Sequence, residues 1–535
     1  MQPTSPIPPA GYQPRRPHDL PLHRLLSAHW PEFLARARQA GGLPSFVVRE
    51  LERLLECGDL EAGFTRVWCP TCKDALLVPL SCKGRGVCSS CSGRRMSDTA
   101  ARWVDTLLPA TPWRQLVLTF PWPLRRSIAY DPRLRSELLR HFLRAATRWY
   151  AARAGVPDGR LAAVTVIQRF GDALNLNPHF HTLVADGVFH RPSPQSEVRF
   201  HAAPPPTDAE VAQLLEVVSA GSVRILKRLG YLEEEDDCDD PDCADPDDSD
   251  PDPVAALAEG SVLNLGVDGS RPRRLSLLPQ GSSQPIVRRA TPLCVHADGF
   301  SLHAATRVPR NQRGRLEALC RYILRPAVPQ DRLELTADGH ARWALKRRWS
   351  DGTTHIELTP RDFIARLVPL IPAPRRNQVR YHGVLAPNAA WRDEVIELVP
   401  PPPPNRHPAP LAPAVPELVP PPDSSAQPPL PTPFEPASSS EPPAPSAPVA
   451  APPPQAPACT TPRLGRYRYL DWAGLLARTF LVDVLRCGRC GGRRKVLEFE
   501  DRRRSPRRGT GTGARPPPRR VEPGDSYLEP AEPSL

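Results

Sequence analysis

Residues 164–189 read VTVIQRFGDALNLNPHFHTLVADGVF, and the fold of the chain turns on them. Val164, Val166 and Ile167 form a β-branched run, Gly171–Asp172 interrupts it, and a second run begins near Pro178. That spacing predicts strand, turn, strand. His179 and His181 flank Phe180 in the second run. Side chains alternate along a strand, so both imidazoles should project from one face and Phe180 from the other, into the core. Two neutral imidazoles side by side suit one divalent cation. Taken alone, the pair is equally compatible with a hairpin bearing two surface histidines, and the surrounding sequence must decide.

Composition points to a polyanionic partner. The 535 residues hold 70 Lys and Arg against 58 Asp and Glu, a net charge of +12. Thirteen of the acids lie between Glu233 and Asp252, so the remainder carries +25. Arginine dominates and suits bidentate phosphate contacts, although a GC-rich genome would also raise it. Thirteen cysteines without an apolar amino-terminal signal point to metal ligation or free thiols in a reducing cytoplasm, not to disulfides. No apolar run reaches the roughly 20 residues that a membrane span needs.

Cys69-Pro-Thr-Cys72 and Cys88-Ser-Ser-Cys91 are two knuckles separated by fifteen residues. The spacing predicts one structural zinc ion held by Cys69, Cys72, Cys88 and Cys91, with Cys57 spare and Cys82 close enough to replace a ligand. Lys83, Arg85, Arg94 and Arg95 surround the knuckles, where they could meet a DNA backbone or form a solvated basic face. Cys487-Gly-Arg-Cys490 is half a zinc site, and the sequence favours a weak site there or none, with Cys459 as a candidate partner. Helical spacing marks residues 20–56 (two helices parted by Gly41, Gly42 and Pro44), 96–108, 132–154, 207–229 and 311–325.

The segment NLNPHFHTLVADGVF, residues 175–189, resembles the His-hydrophobe-His (HUH) motif of rolling-circle insertion-sequence transposases. More narrowly, it resembles the insertion-sequence-91 family, whose members carry an amino-terminal zinc-binding domain. SCKGRGVCSSCSGRRM, RQLVLTFPWPLR, LCRYILRPAVPQDRLEL and VRYHGVLAPNAAWR resemble the same family, in its order, across most of residues 20–396. The resemblance implies an HUH endonuclease fold, an antiparallel sheet with a metal on its central strand, and a tyrosine that attacks a phosphodiester. Tyr322, in RYILRP, is then the nucleophile, and Arg325, on nearly the same helix face, stabilises its charge. Many relatives have two tyrosines four apart, but here Ala318 occupies the first place. Tyr381, beside His382, is the second candidate.

Mg²⁺ or Mn²⁺ prefers six ligands, so Gln168 on the preceding strand is the expected third protein ligand, with Asn177 and Asp186 as alternatives. Residues 333–358 are expected to form a hairpin in which Lys346, Arg347 and Arg348 lie between Trp343 and Trp349, a pattern that fits single-stranded DNA and equally a solvated hairpin. Arg375, Arg376 and Arg380 extend the positive charge.

The expected class is α+β. Residues 1–18 should be disordered, 19–108 a helical zinc-binding domain, and 109–398 the catalytic domain, with an acidic disordered insertion at about 233–258. Residues 399–462 read as a Pro-rich linker, 463–500 as a helix with a single CxxC, and 501–535 as a basic disordered tail. The expected protein is a cytoplasmic, nucleoid-associated DNA transposase with structural Zn²⁺ and no membrane partner; homo-oligomers are compatible. The competing functions are a zinc-knuckle DNA-binding protein with an inactive HUH site and a replication or mobilisation initiator of the same chemistry.

Overall fold

The computed structural model describes residues 16–232, 253–276, 292–401 and 484–501. The strand Leu176–Ala185, which carries the two histidines, lies inside an antiparallel seven-stranded sheet. Ala162–Phe170 pairs with one of its edges and Trp113–Thr119 with the other. Val379–Gly383 extends the sheet beyond Ala162–Phe170; Phe300–His303, Cys294–Ala297 and Arg307–Val308 complete the opposite side.

Alternation explains how the sheet is buried on both faces. Ile167, Phe180, Leu118 and Leu302 share one face and a core with the helices Pro132–Arg153 and Asp208–Arg228. The Phe180 and Phe120 rings meet edge to face, 5.0 Å apart. Each such buried side chain stabilises the fold by about 1.5–3 kcal/mol. Both helices have defined starts: Asp131 caps one before Pro132, and Thr207 with Glu210 forms a capping box on the other. On the second face, Trp113, Val164, Val166 and Leu183 pack against the helices Ser89–Thr106 and Arg313–Ile323.

At one end of the histidine strand Asp186 is buried. It forms ion pairs with Arg114 at 2.8 Å and Arg307 at 2.7 Å, and accepts a hydrogen bond from the Tyr150 hydroxyl at 3.3 Å. Those partners occupy its carboxylate, so the structure removes Asp186 from the candidate metal ligands.

Two smaller sheets flank this unit. Leu333–Leu335, Ala341–Ala344, His355–Leu358 and Arg273–Leu275 form a four-stranded sheet in place of the simple hairpin expected for 333–358; Gly339 and Gly352 turn it with positive φ. Its core contains Trp343 and Phe363 together with Leu22, Leu26 and Trp30 of the helix Pro21–Gln39, so the first helices share a core with the later sheet. The third sheet joins Gly63–Trp68 and Ala75–Pro79 to Lys495–Asp501, from the far end of the chain.

A helix spans Pro253–Leu263 and buries Val254 and Ala258, so the acidic insertion expected to reach about residue 258 gives way to packed structure at residue 253. Most of the acidic run, the Pro-rich linker, the helix expected before Cys487 and the basic tail lie outside the described residues. Among the described residues no helix is long and apolar enough to cross a membrane.

Candidate active site

His179 lies between Gln168 and Thr119 in the sheet register, and His181 between Val166 and Val117. The two Nε2 atoms are 3.0 Å apart. His179 Nδ1 is 2.7 Å from the carbonyl oxygen of Asn177; donating there leaves its Nε2 a bare acceptor. His181 Nδ1 accepts from Gln115 Nε2 at 2.6 Å, which places the ring proton of His181 on Nε2, facing His179 Nε2. Burial, foremost, lowers the pKa of His179 to about 4, and burial followed by the charge of His179 takes His181 well below its usual value. Both rings are therefore neutral near pH 7.

The two Nε2 atoms share that proton in a hydrogen bond; a cation held by both would displace it, with the Gln115 amide turned to accept a proton on His181 Nδ1. The buried oxygens Gln168 Oε1 and Asn177 Oδ1 have no hydrogen-bond partner. Leaving such an atom unpaired costs about 1–3 kcal/mol. Neutral imidazoles with bare amide oxygens are donors that fit a divalent cation.

The helix Arg313–Ile323 buries Leu316, Leu319, Cys320 and Ile323 and leaves Tyr322 37% exposed at its edge. Gln168 Nε2 donates to the Ile323 carbonyl at 2.5 Å, tying the last turn of this helix to the neighbour of the histidine strand. The Tyr322 ring consequently stands perpendicular to that of His181, with centroids 6.1 Å apart. Lys346 Nζ donates to the Tyr322 hydroxyl and lies 4.0 Å from the ring centroid, while the Arg325 guanidinium lies 4.7 Å from it. Burial pushes the Tyr322 pKa up, but the charge of Arg325 and the hydrogen bond from Lys346 outweigh it, and the net shift is downward.

Asp172, in the turn of the histidine hairpin, holds Lys346 in place. Its carboxylate accepts the Lys346 backbone N–H at 2.9 and 3.0 Å and pairs with Arg332 at 2.7 Å; its carbonyl accepts from Trp343 Nε1 at 2.8 Å. One turn thus connects the imidazole strand with the lysine that touches the phenol.

The four cysteines expected to share one ion do not lie together. Cys88 and Cys91 join Cys57 and Cys82 in a buried cluster whose sulfurs all lie within 4.8 Å, with Cys57–Cys91, Cys82–Cys91 and Cys57–Cys88 at 3.7, 3.4 and 3.6 Å. Cys69 and Cys72 sit at the tip of the hairpin formed by Gly63–Trp68 and Ala75–Pro79, and they cluster with Cys487 and Cys490. The hairpin separates the two knuckles: the chain returns along its second strand before reaching Cys82, while Cys88 and Cys91 open the helix Ser89–Thr106. Cys57 is therefore a cluster member and not a spare residue, and the carboxy-terminal knuckle is part of a complete four-cysteine set.

Residues 162–392 match the family model Y2_Tnp, described as "Putative transposase", and residues 25–120 match Zn_Tnp_IS91, the transposase zinc-binding domain. The chain belongs to the IS91 transposase family. A search of curated proteins and one of solved structures each gave no match. Family membership makes DNA the partner of this transposase and, with the cysteine clusters, makes zinc a structural component.

Of the candidate site residues, the transposase brings His179, His181, Gln168, Tyr322, Arg325 and Lys346 together. Lys83, Arg85 and Arg94 are exposed around the buried cysteine cluster; Arg95 donates to the carbonyls of Lys83 and Gly84 and so braces the loop. Arg347 is exposed and Arg348 half-buried beside Lys346. Trp343 is fully buried, so it cannot stack on an unpaired base as the sequence pattern suggested. Tyr381 receives a hydrogen bond from Trp103 Nε1 at 3.0 Å and packs edge-on against it, a structural role. Sequence reasoning missed Gln115 and Asp172. Only the register reveals Gln115: it lies two residues before Val117, the partner of His181, and so shares the imidazole face.

Proposed function

We propose that this transposase nicks and rejoins single DNA strands at insertion-sequence ends through a 5′-phosphotyrosine on Tyr322, using an HUH-type sheet. The observation that carries this reading is the Tyr322 hydroxyl, held by Lys346 beside a buried pair of neutral imidazoles. His179, His181 and Gln168 Oε1 would hold Mg²⁺ or Mn²⁺, with Asn177 Oδ1 as a further oxygen. When bound, the cation polarises the phosphoryl oxygen as a Lewis acid.

The remaining chemistry falls to side chains of the chain itself. Tyr322 Oη gives its proton to solvent and attacks phosphorus, the bond to the 3′-oxygen breaks, and that oxygen takes up a proton from solvent to become a free 3′-hydroxyl. Arg325 and Lys346 offset the phenolate charge before attack, a preorganised electrostatic effect. A phosphodiester is exchanged for a phosphotyrosyl ester, so a later attack by a 3′-hydroxyl reseals the strand without a nucleotide cofactor. Ala318 stands where many relatives carry a second tyrosine, so one chain holds one covalent link at a time and strand transfers proceed in sequence. Lys83, Arg85, Arg94, Arg347 and Arg348 supply phosphate contacts along the strand.

The test is a nicking assay on single-stranded DNA carrying the element's own end. A covalent protein–DNA adduct should form with Mg²⁺ or Mn²⁺ and disappear with EDTA under conditions that leave the zinc content unchanged. Its absence from the wild-type protein, or its persistence without a divalent cation, rejects the reading.

Lys346→Met is expected to move the rising limb of the pH–rate profile to higher pH. The folded phenol titrates below its ordinary value partly because Lys346 donates to it, so removing that donor raises the pKa and delays formation of the phenolate. The rate at pH 7 should fall roughly 10²-fold or more, with recovery at alkaline pH. An unshifted limb denies Lys346 this role.

A further inference from the structure

The cluster of Cys69, Cys72, Cys487 and Cys490 joins parts of the chain that are 415 and 421 residues apart. Its sulfurs all lie within 4.8 Å of one another, with Cys69–Cys490 and Cys72–Cys487 both at 3.5 Å. Tetrahedral zinc with Zn–S bonds near 2.3 Å requires sulfur separations of about 3.8 Å, so the two close pairs need to spread by only about 0.3 Å to meet it.

The two knuckles are local copies of each other. Cys69 N–H donates to the Asp74 carbonyl, and Cys487 N–H donates to that of Gly492, both at 2.8 Å. The Lys73 N–H returns to the Cys69 carbonyl at 2.9 Å, and the Gly491 N–H to that of Cys487 at 2.8 Å. Lys73 and Gly491 both adopt positive φ, 61° and 71°. The Cys69 sulfur accepts backbone hydrogen bonds from Thr71 and Cys72, and the Cys487 sulfur accepts them from Arg489 and Cys490. Amide groups aimed at sulfur favour the thiolate, the form that binds metal. A left-handed lysine is an expensive way to build an ordinary turn, yet here it reproduces the glycine turn of the other knuckle.

Among the described residues, the carboxy-terminal segment is held by one strand pairing and by contacts around its knuckle. Lys495–Asp501 pairs antiparallel with Gly63–Trp68 through a bulge at Arg66 and Val67. Its Val496 and Leu497 side chains are 62% and 55% exposed, so these two contribute little apolar burial. The secure points lie at the knuckle: Val484 and Cys487 are buried, and Arg494 pairs with Asp74 at 2.6 Å.

We infer that Cys69, Cys72, Cys487 and Cys490 bind a second zinc ion, which clasps the carboxy-terminal knuckle and strand onto the amino-terminal hairpin. This ion is separate from the one suited to the buried cluster of Cys57, Cys82, Cys88 and Cys91, and the inference does not depend on the chemistry proposed for Tyr322.

The test is elemental analysis of the full chain, purified under reducing conditions, with limited trypsin digestion alongside. The wild type should carry two zinc ions per chain. The double variants C487S/C490S and C69S/C72S should each carry one, because either knuckle alone is half a site. In C487S/C490S, cleavage after Arg486, Arg489 and Arg493 should accelerate roughly tenfold or more as the strand is released. One ion in the wild type, two retained in C487S/C490S, or a disulfide between the knuckles in the reduced protein would overturn the proposal. Tryptic cleavage no faster in C487S/C490S than in wild type would overturn the clasp.

Discussion

Tyr322→Phe is expected to abolish the covalent protein–DNA adduct, with strand cleavage falling by at least about 10⁴-fold, as when other enzymes lose their nucleophile. The substitution removes one oxygen and keeps the ring that stands over His181, so the site loses its reactive atom and little of its shape. The hydroxyl belongs to a side chain 37% exposed, and Lys346 can return its ammonium to water, so the melting temperature should stay within a few degrees of wild type. A denaturing gel with end-labelled single-stranded DNA reads the adduct directly. Tyr381→Phe is the control: its hydroxyl is bound by Trp103 in packed structure, and adduct formation should continue. An adduct that survives in Tyr322→Phe and vanishes in Tyr381→Phe would transfer the role to the other tyrosine.

The largest expected loss of stability is at Asp186. Asp186→Ala leaves the Arg114 guanidinium, itself 2% exposed, without its carboxylate, and removes partners of Arg307 and Tyr150 as well. Breaking a buried ion pair from one side typically costs 3–5 kcal/mol, since a charge remains with nothing to compensate it. For a unit of this size that corresponds to a fall in Tm of roughly 6–20 °C. Asp186→Asn should cost less, because the amide oxygen still accepts from Arg114. Thermal unfolding followed by circular dichroism checks both, and a change under about 1 kcal/mol for the alanine variant rejects the account.

The three central strands were legible in the sequence as short runs with one dominant period, whereas Val379–Gly383, Phe300–His303, Cys294–Ala297 and Arg307–Val308 were not read as strands. Ile167, Phe180 and Leu118 had to share a face, and that placed His179 and His181 on the other. The helix bearing Tyr322 was legible for the same reason, although only the family resemblance singled out that tyrosine. Register was harder to read. Nothing local announces that Gln115 meets His181, or that Asp172 in a turn fixes a lysine 174 residues later. Lys346 looked like one member of a basic run, and only tertiary packing distinguishes it from Arg347 and Arg348. Trp343 misled in the opposite sense: aromatic residues among basic ones suggest base stacking, but its indole lies in the core beside Phe363. The cysteines illustrate a general limit. A CxxC spacing defines a knuckle, whereas the choice of partner knuckle depends on where the chain goes next, and here the nearer candidate in sequence was the wrong one.

Order of synthesis gives the two cysteine centres unequal histories. Cys57 and Cys91 are 34 residues apart, so the buried centre can close soon after both leave the ribosome. Cys72 must wait 415 residues for Cys487, a delay of about 20–80 s at ordinary translation speeds of 5–20 residues per second. Throughout that interval the nascent chain displays an open pair of thiols at a hairpin tip. A messenger interrupted before Cys487 would yield a protein with every residue of the proposed nicking centre but permanently missing its last fastener, so the second ion we infer would mark which copies were translated that far.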